Sequence, residues 1–246
     1  MTAALLEVRG LRKSFAGVVA NDSVDIDVPR GGIVGLVGPN GSGKTTLFNA
    51  ISGQHPADSG SVRFEDLEIS RLPAQRIARL GILRTFQQAH VYDRMSCLDN
   101  LRASAPETSS PLRNLLGVPA PQVARRARDL LAFVGLETHA EAQARRLSFG
   151  QRKLLEFAMA LMSRPRLLLL DEPTAGVDPA FVARMIDRLT QANSVMGITL
   201  LIIEHDIGVL GELAARVYVM HRGAIVAKVA PEAVHAELER AGATDD

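Results

Sequence analysis

Residues 38–46 combine glycines, a lysine and two threonines in a spacing suited to phosphate binding. The segment reads Gly-Pro-Asn-Gly-Ser-Gly-Lys-Thr-Thr and fits the pattern G-x-x-x-x-G-K-[ST]. Glycines let the backbone curl close to phosphate oxygens, and the helix expected to follow offers free N–H groups at its start. Lys44 would reach the β- and γ-phosphates, and the Thr45 hydroxyl would bind Mg²⁺. The pattern predicts an ATP site; the alternative is a chance glycine-rich turn. The residues expected to contact ATP are Gly38, Pro39, Asn40, Gly41, Ser42, Gly43, Lys44, Thr45 and Thr46.

Two carboxylates, Asp171 and Glu172, follow the run of four leucines at 167–170. Four leucines alone indicate only a buried strand, but the end of such a strand is where ligands bind in open α/β sheets. Asp171 can hold the magnesium ion, usually through water, and Glu172 can polarise the water that attacks the γ-phosphate. The alternative is an Asp-Glu pair that caps a helix.

A third segment, Leu147-Ser148-Phe149-Gly150-Gln151, precedes a helix-like run. By itself it indicates a serine N-cap followed by glycine, which is common at helix starts. The segment becomes a specific signal because it lies about twenty residues before a strand that ends in Asp-Glu. The combination resembles the signature sequence of ATP-binding cassette (ABC) ATPases, with Phe149 where that signature usually has its second glycine.

The resemblance extends from Leu5 to about Val234 and implies roles for further residues. Phe15 matches the aromatic residue that stacks on adenine, although it could instead be a core residue. Gln87 matches the glutamine that contacts magnesium and senses the partner, and Asp178 matches a loop that crosses the dimer interface. His205 matches the histidine that contacts the γ-phosphate, where a lone histidine elsewhere would more often be structural.

In that family two nucleotide-binding domains dock head to tail around two ATP molecules. The resemblance therefore implies that the P-loop of one chain faces the Leu147–Gln151 segment of the other. Ser148, the backbone N–H of Gly150, and Gln151 would complete the cage around the γ-phosphate, with Glu172, His205 and Lys44 as the catalytic residues. A monomer would then hydrolyse ATP poorly, and hydrolysis would open the dimer.

The elements that must position these residues alternate between strand and helix patterns. Alternating runs at 5–8, 23–28 and 61–67 predict an antiparallel portion, and apolar runs before the P-loop, at 166–170 and at 198–203 predict parallel strands buried on both faces. Helix patterns lie at 74–80, 97–104, 123–134, 150–162 and 179–196, with a late hairpin over 216–226 and a short helix over 231–240.

The fold class expected from these patterns and the resemblance is α/β. It comprises a P-loop NTPase (ABC ATPase) core, an antiparallel β subdomain and an inserted α-helical subdomain. We expect one nucleotide-binding domain over 1–246, in which 1–87 and 166–246 form the core with the β subdomain and 88–165 form the helical subdomain.

Composition narrows the class of protein further. The formal charge of +1 gives no electrostatic reason to expect nucleic acid as a partner. The single cysteine, Cys97, excludes an internal disulfide and is interpreted as an inert packing residue. The histidines show no metal-ligand spacing, and no apolar run approaches the ~18 residues that a transmembrane helix needs. We therefore expect a chain that does not itself cross a membrane.

Several segments resemble the ATPases of branched-chain amino acid (Liv-type) importers. They are residues 47–53, 72–87, 95–101, 150–158 and 203–206. Membership would imply a cytoplasmic protein at the inner face of the cell membrane, bound to integral permease subunits. It would pair head to tail with itself or with a sister ABC ATPase, and depend indirectly on a solute-binding protein. Tyr92 and Met95 would then line part of the groove for a permease helix, unless they pack internally.

Three alternatives share the P-loop. A soluble ABC ATPase of an assembly or scaffold system, such as the iron–sulfur type, would use the same cassette, but the segment around Gln87 argues against it. A DNA-repair or structural-maintenance head domain would carry a long coiled coil or a zinc insertion, and neither heptads nor cysteine pairs occur. A P-loop kinase would lack the 147–151 segment and His205.

Overall fold

A computed structural model describes residues 4–85, 91–106 and 121–242. Within these residues the strands are β1 Ala4–Phe15, β2 Val18–Pro29, β3 Ile33–Val37, β4 Ser59–Phe64, β5 Leu67–Glu68, β6 Ile82–Arg84, β7 Leu167–Asp171, β8 Thr199–Ile203, β9 Arg216–His221 and β10 Ala224–Val229. The helices are α1 Lys44–Ile51, α2 Ala74–Arg79, α3 Cys97–Ala103, α4 Pro121–Phe133, α5 Phe149–Met162, α6 Pro179–Ser194, α7 Ile207–Leu213 and α8 Val234–Arg240.

A central sheet in the order β10-β9-β3-β8-β7-β6 forms the middle layer. Strands β9, β3, β8, β7 and β6 run parallel, and β10 pairs antiparallel with β9, as the predicted hairpin requires. In β7 every residue is buried, because Leu168 and Leu170 face the core beneath the helices while Leu167 and Leu169 face the opposite core. The unbroken apolar run thus indicates a strand covered on both faces.

A second sheet, in the order β2-β1-β4-β5, is antiparallel. Its inner residues, among them Leu6, Val8 and Ile26, pack with α1 against one face of the central sheet. Strands β1 and β2 are each 12 residues long, longer than the apolar cores at 5–8 and 23–28 that the sequence indicates. Most of the extra residues are polar or exposed, although Leu11 and Asn21 are buried, and backbone pairing between the two strands holds them in the ladder.

Helices α3, α4 and α5 pack together on the other face of the central sheet. Their shared core includes Cys97, Leu101, Leu131 and Leu155, and it continues onto β7 and β8. The other helix patterns of the sequence correspond to helices with bounds shifted by one to two residues, whereas α8 begins three residues later than predicted and α7 was not predicted. Within the described stretches of chain, every helix is too short or too polar to cross a bilayer.

Candidate functional site

The carboxyl ends of β3, β8 and β7 lie side by side at one edge of the central sheet. Leu36 pairs with Ile203, and Ile203 pairs with Asp171, so the register brings three strand ends to the same level. The P-loop leaves β3 there, Asp171 and Glu172 lie at the end of β7, and His205 follows β8. Residues that are distant in the sequence therefore lie at one edge, as ligand sites of such sheets require.

Two glycines of the P-loop occupy places that no side chain could fill. A Cβ on Gly38 would lie 2.1 Å from the carbonyl oxygen of Met220, and one on Gly43 would lie 2.3 Å from that of Ala20. Gly43 also has φ +105°, which favours glycine, and it directly precedes α1. The glycine spacing is therefore a steric requirement, because the loop passes tightly between β2 and β9.

Lys44, the first residue of α1, is buried with its ammonium turned back onto the loop. Its Nζ donates to the carbonyl oxygens of Gly38 at 2.6 Å and of Pro39 at 2.9 Å. The Ser42 hydroxyl is buried and has no hydrogen-bond partner among the described residues. A loop that carries a lysine and a buried hydroxyl at a helix start fits a triphosphate.

Asp171 is buried, and Arg84 of β6 donates to its carboxylate. Arg84 Nη2 lies 2.7 Å from Asp171 Oδ2, and both side chains are 6 % exposed. The same guanidinium donates to the side-chain oxygen of Asn49 and lies against the Phe48 ring. Arg84 could not be identified from the sequence, because a lone arginine in a short strand gives no signal. The hydroxyl of Thr45 and the carboxylate of Asp171 are oxygen donors of the kind that suits Mg²⁺.

Glu172 and His205 are in direct contact. His205 Nε2 lies 2.9 Å from Glu172 Oε1, and the glutamate side chain is more buried than the histidine. Glu172 has φ +50°, an uncommon conformation for a residue with a side chain, and its amide donates to the Ile203 carbonyl. The strained backbone at the strand end aims the carboxylate at His205.

Two further buried charges, Lys153 and Glu204, contact the backbone that follows Glu172 and were not among the residues predicted from the sequence. Burial raises the pKa of the Glu204 carboxyl, although hydrogen bonds from Thr174 and the charge of Lys153 act in the opposite direction. Burial lowers the pKa of Lys153, against the attraction of Glu204, Glu156 and Glu172. Lys153 could have been identified from the sequence, because it is a charged residue within an apolar helix face.

The 147–151 segment forms the start of α5. Ser148 is the N-cap, accepts from the Gln151 amide at 3.2 Å and donates its own amide to Gln151 Oε1 at 2.9 Å, which is a complete capping box. A Cβ on Gly150 would lie 2.6 Å from the Phe181 ring of α6. Asp178 caps α6 by accepting from the Phe181 amide at 3.0 Å. Among the described residues, no hydrogen bond joins Ser148, Gly150 or Gln151 to the P-loop.

The remaining predicted residues divide into four cases. Phe15, at the end of β1, is 43 % exposed with its ring edge-on to His55, so it is available for stacking and is not a core residue. Cys97 is buried, and burial raises its pKa, in agreement with an inert packing residue. Tyr92 and Met95 are exposed and do not pack internally. Gln87 lies outside the described residues.

Comparison with known sequences places these features in context. The profile of the ABC transporter family matches residues 21–175. The chain is 33% identical over 241 residues to the high-affinity branched-chain amino acid transport ATP-binding protein LivG of Salmonella typhimurium, covering 95% of this chain and 94% of that protein. It is 38% identical to the probable LivG of Archaeoglobus fulgidus, covering 91% and 88%.

Solved structures agree with the sequence comparisons. The ATP-binding cassette MJ1267 of an ABC transporter superposes with a TM-score of 0.87 at 33% identity, covering 97% of both chains. The ADP conformation of the same cassette gives a TM-score of 0.85, covering 98% of this chain and 97% of that one. The α/β arrangement with two sheets and packed helices is therefore the fold of an ATP-binding cassette.

Proposed function

The chain belongs to the ABC transporter family and is an ATPase, and we propose that it is the ATP-binding and hydrolysing subunit of an importer for branched-chain amino acids or a related small polar solute. The relatives carry that transport function in their names, and the similarity covers nearly the whole chain. The alternative of a soluble scaffold ATPase is not favoured, because these relatives are transport proteins.

The contact between Glu172 and His205 at the edge that carries the P-loop is the observation on which the proposal mainly rests. In this geometry Glu172 accepts a proton from the attacking water, and His205, with its Nε2 protonated, holds the carboxylate in place. Lys44 leaves the two carbonyl oxygens it contacts and binds the β- and γ-phosphates. Phe15, exposed at the end of β1, stacks on the adenine.

Magnesium, bound through Thr45, Asp171 and Gln87, would supply positive charge to the phosphates during transfer. Arg84 is then the residue that holds the Asp171 carboxylate when nucleotide is absent. The backbone N–H groups of 40–46 and the ammonium of Lys44 bind the phosphates and exclude water from them. This division leaves the chemical step to Glu172 and the binding to the P-loop.

The start of α5 is the segment that would complete the ATP site of a second chain. Ser148, Gly150 and Gln151 are at a helix start, whose positive dipole end attracts phosphate, yet they make no hydrogen bond to the P-loop within the described residues. We therefore propose a head-to-tail dimer, with itself or a sister ATPase, in which this segment meets the partner's ATP. ATP closes the dimer and hydrolysis opens it.

We further propose that the protein is cytoplasmic and attached to integral permease subunits at the inner face of the membrane, with a solute-binding protein supplying the solute. The helical subdomain over 88–165 would contact the permease, with exposed Tyr92 and Met95 in the contact. The core over 1–87 and 166–246 would bind ATP.

Turnover of purified protein tests the enzymatic part of the proposal. Replacing Glu172 with Gln removes the base while retaining its size, so ATP hydrolysis should fall by at least about 100-fold. ATP should now hold a dimer that survives gel filtration. Glu232→Gln, a change at an exposed glutamate near the C-terminus, should leave both properties unchanged. Normal turnover in Glu172→Gln would exclude Glu172 as the base.

Partners are tested by purifying tagged Glu172→Gln protein with ATP from solubilised membranes of its native cell. Mass spectrometry should identify two polytopic permeases and, for a heterodimer, a sister ATPase. Recovery of soluble partners alone would overturn the transport function and leave the ATPase chemistry intact.

A further inference from the structure

The ammonium group of Lys153 is bound to the backbone of the catalytic turn. Lys153 lies on α5, is 6 % exposed, and donates to the carbonyl oxygens of Glu172 at 2.9 Å and Pro173 at 3.4 Å. A buried ammonium is costly unless its protons find acceptors, so these contacts hold both the lysine and the turn. Lys153 therefore links α5 directly to the residue that acts as the base.

The carboxylate of Glu204 binds the same turn from its amide side. Glu204 Oε1 accepts from the Thr174 amide at 2.9 Å and the Thr174 hydroxyl at 2.6 Å. Its other oxygen accepts from the His205 amide at 3.3 Å. The turn 172–174 is thus fixed between a buried cation and a buried anion, which supports the strained φ of +50° at Glu172.

Phe149 connects this arrangement to the exposed start of α5. Its ring is 50 % exposed, and the Lys153 ammonium lies 5.3 Å from the ring centre, one helical turn further on. A Cβ built on Gly176 would lie 3.6 Å from Phe149 Cε1. Phe149 is therefore close both to Lys153 and to the loop that leads to Asp178.

We propose that Phe149 and Lys153 form a relay that couples the exposed start of α5 to the backbone of Glu172 in the same chain. The inference rests on the proposed function, in which that start meets the partner's ATP. When the partner's γ-phosphate reaches Ser148 and Gly150, Phe149 is pressed toward Lys153, and the ammonium holds the Glu172 carbonyl in position. ATP bound in one site thereby aligns the base of the other. Lys153 is a positioning residue, because it touches backbone and not ATP.

A double-mutant cycle on turnover tests the relay. Lys153→Met retains the length of the side chain but removes the ammonium, so kcat should fall about tenfold while KM for ATP changes less than twofold. Phe149→Leu should lower kcat about threefold, and Phe149→Tyr, which retains the ring, should retain kcat. The double variant Lys153→Met/Phe149→Leu should match Lys153→Met alone, because the ring acts through the lysine. Losses that multiply, or unchanged kcat in Lys153→Met, would overturn the relay.

Lys228→Met is the matched control, since Lys228 also lies 5.3 Å from an aromatic ring, that of Tyr218, but far from the turn along the chain. It should leave kcat unchanged. If Lys153→Met does not fold because Glu204 then lacks its opposing charge, Lys153→Met/Glu204→Gln removes both buried charges. This double variant should fold and still show the low kcat; a normal kcat would contradict the positioning role.

Hydrogen exchange separates this inference from the proposed function. In Lys153→Met, the amides of 172–176 should exchange at least about tenfold faster than in the unmodified protein. The same increase is expected in Phe149→Leu when ATP is bound. The exchange rates of the amides of 38–46 should be unchanged in both variants. If the unmodified protein does not hydrolyse ATP, the proposed function fails, and exchange of 172–176 still decides the relay. Unchanged exchange in both variants would overturn it.

Discussion

Arg84 and Asp171 form an ion pair with a donor–acceptor distance of 2.7 Å and with both side chains 6 % exposed. The pair joins neighbouring strands β6 and β7 at the edge where nucleotide would bind. Because Asp171 is also the proposed magnesium ligand, its carboxylate is never left without a positive partner. The arginine therefore stabilises the nucleotide-free protein.

Arg84→Gln should strongly destabilise the protein without nucleotide. Removing one partner of a buried pair costs about 3–5 kcal/mol, because the remaining charge is buried and uncompensated. At about 2–4 °C per kcal/mol for a chain of this size, thermal unfolding should move down by about 10 °C. Mg-ATP should reduce the difference, since the metal supplies a new counter-charge. Arg102→Gln, which breaks the more exposed pair with Asp99, is the control and should shift unfolding little.

Gly150→Ala should destabilise the protein for a reason of packing. The added Cβ would lie 2.6 and 2.9 Å from two carbons of the buried Phe181 ring, so α5 and α6 must separate. Overpacking of this kind costs about 1–3 kcal/mol, measurable by urea unfolding. Gly211→Ala in α7 is the matched control, because nothing lies within 4 Å of its Cβ position. A helical Gly→Ala change there should be stabilising; equal effects of the two changes would refute the packing explanation.

Two changes at Ser148 should separate its structural role from its functional one. Ser148→Ala removes the N-cap of α5 and should cost about 1 kcal/mol of stability, together with the proposed contact to the partner's phosphate. Ser148→Asp is also a good N-cap and should retain stability, but its negative charge should repel the γ-phosphate. Turnover and ATP-dependent dimerisation should therefore fall in both variants, while thermal stability falls only in the first. Normal dimerisation in Ser148→Asp would place the contact elsewhere.

Asp58 should make stability depend on pH in the acid range. Hydrogen bonds from Lys13 and Ser14 lower its pKa from 3.8 to about 2. Because the folded-state pKa is the lower one, the contribution is present above about pH 4 and is lost as the pH falls toward 2. The stability advantage over Asp58→Asn should therefore disappear across that range, as measured by denaturant unfolding. In Lys13→Met the carboxyl should titrate at higher pH by NMR; an unchanged midpoint would exclude the lysine as a cause.

Local signals in the sequence were sufficient for the P-loop, the paired carboxylates and the alternation of strands and helices. The P-loop is contiguous, and its glycines occupy positions where a Cβ would meet the Met220 or Ala20 carbonyl. The apolar runs of β7 and β8 are buried on both faces, as their composition predicts. The lengths of β1 and β2 were not predictable, because pairing with the neighbouring strand extends them through polar residues.

The sequence by itself determined the family and the residue types that can bind and hydrolyse ATP, because these depend on short segments with fixed spacing. The tertiary structure alone decided how those segments are held. Arg84 reaches Asp171 across 87 residues, and Lys153 reaches the Glu172 carbonyl from a different layer of the fold. Such contacts depend on strand order and helix packing, which bring distant charges into a buried space where each must find a partner. The spacing of residues along the chain does not indicate which buried charges will become partners.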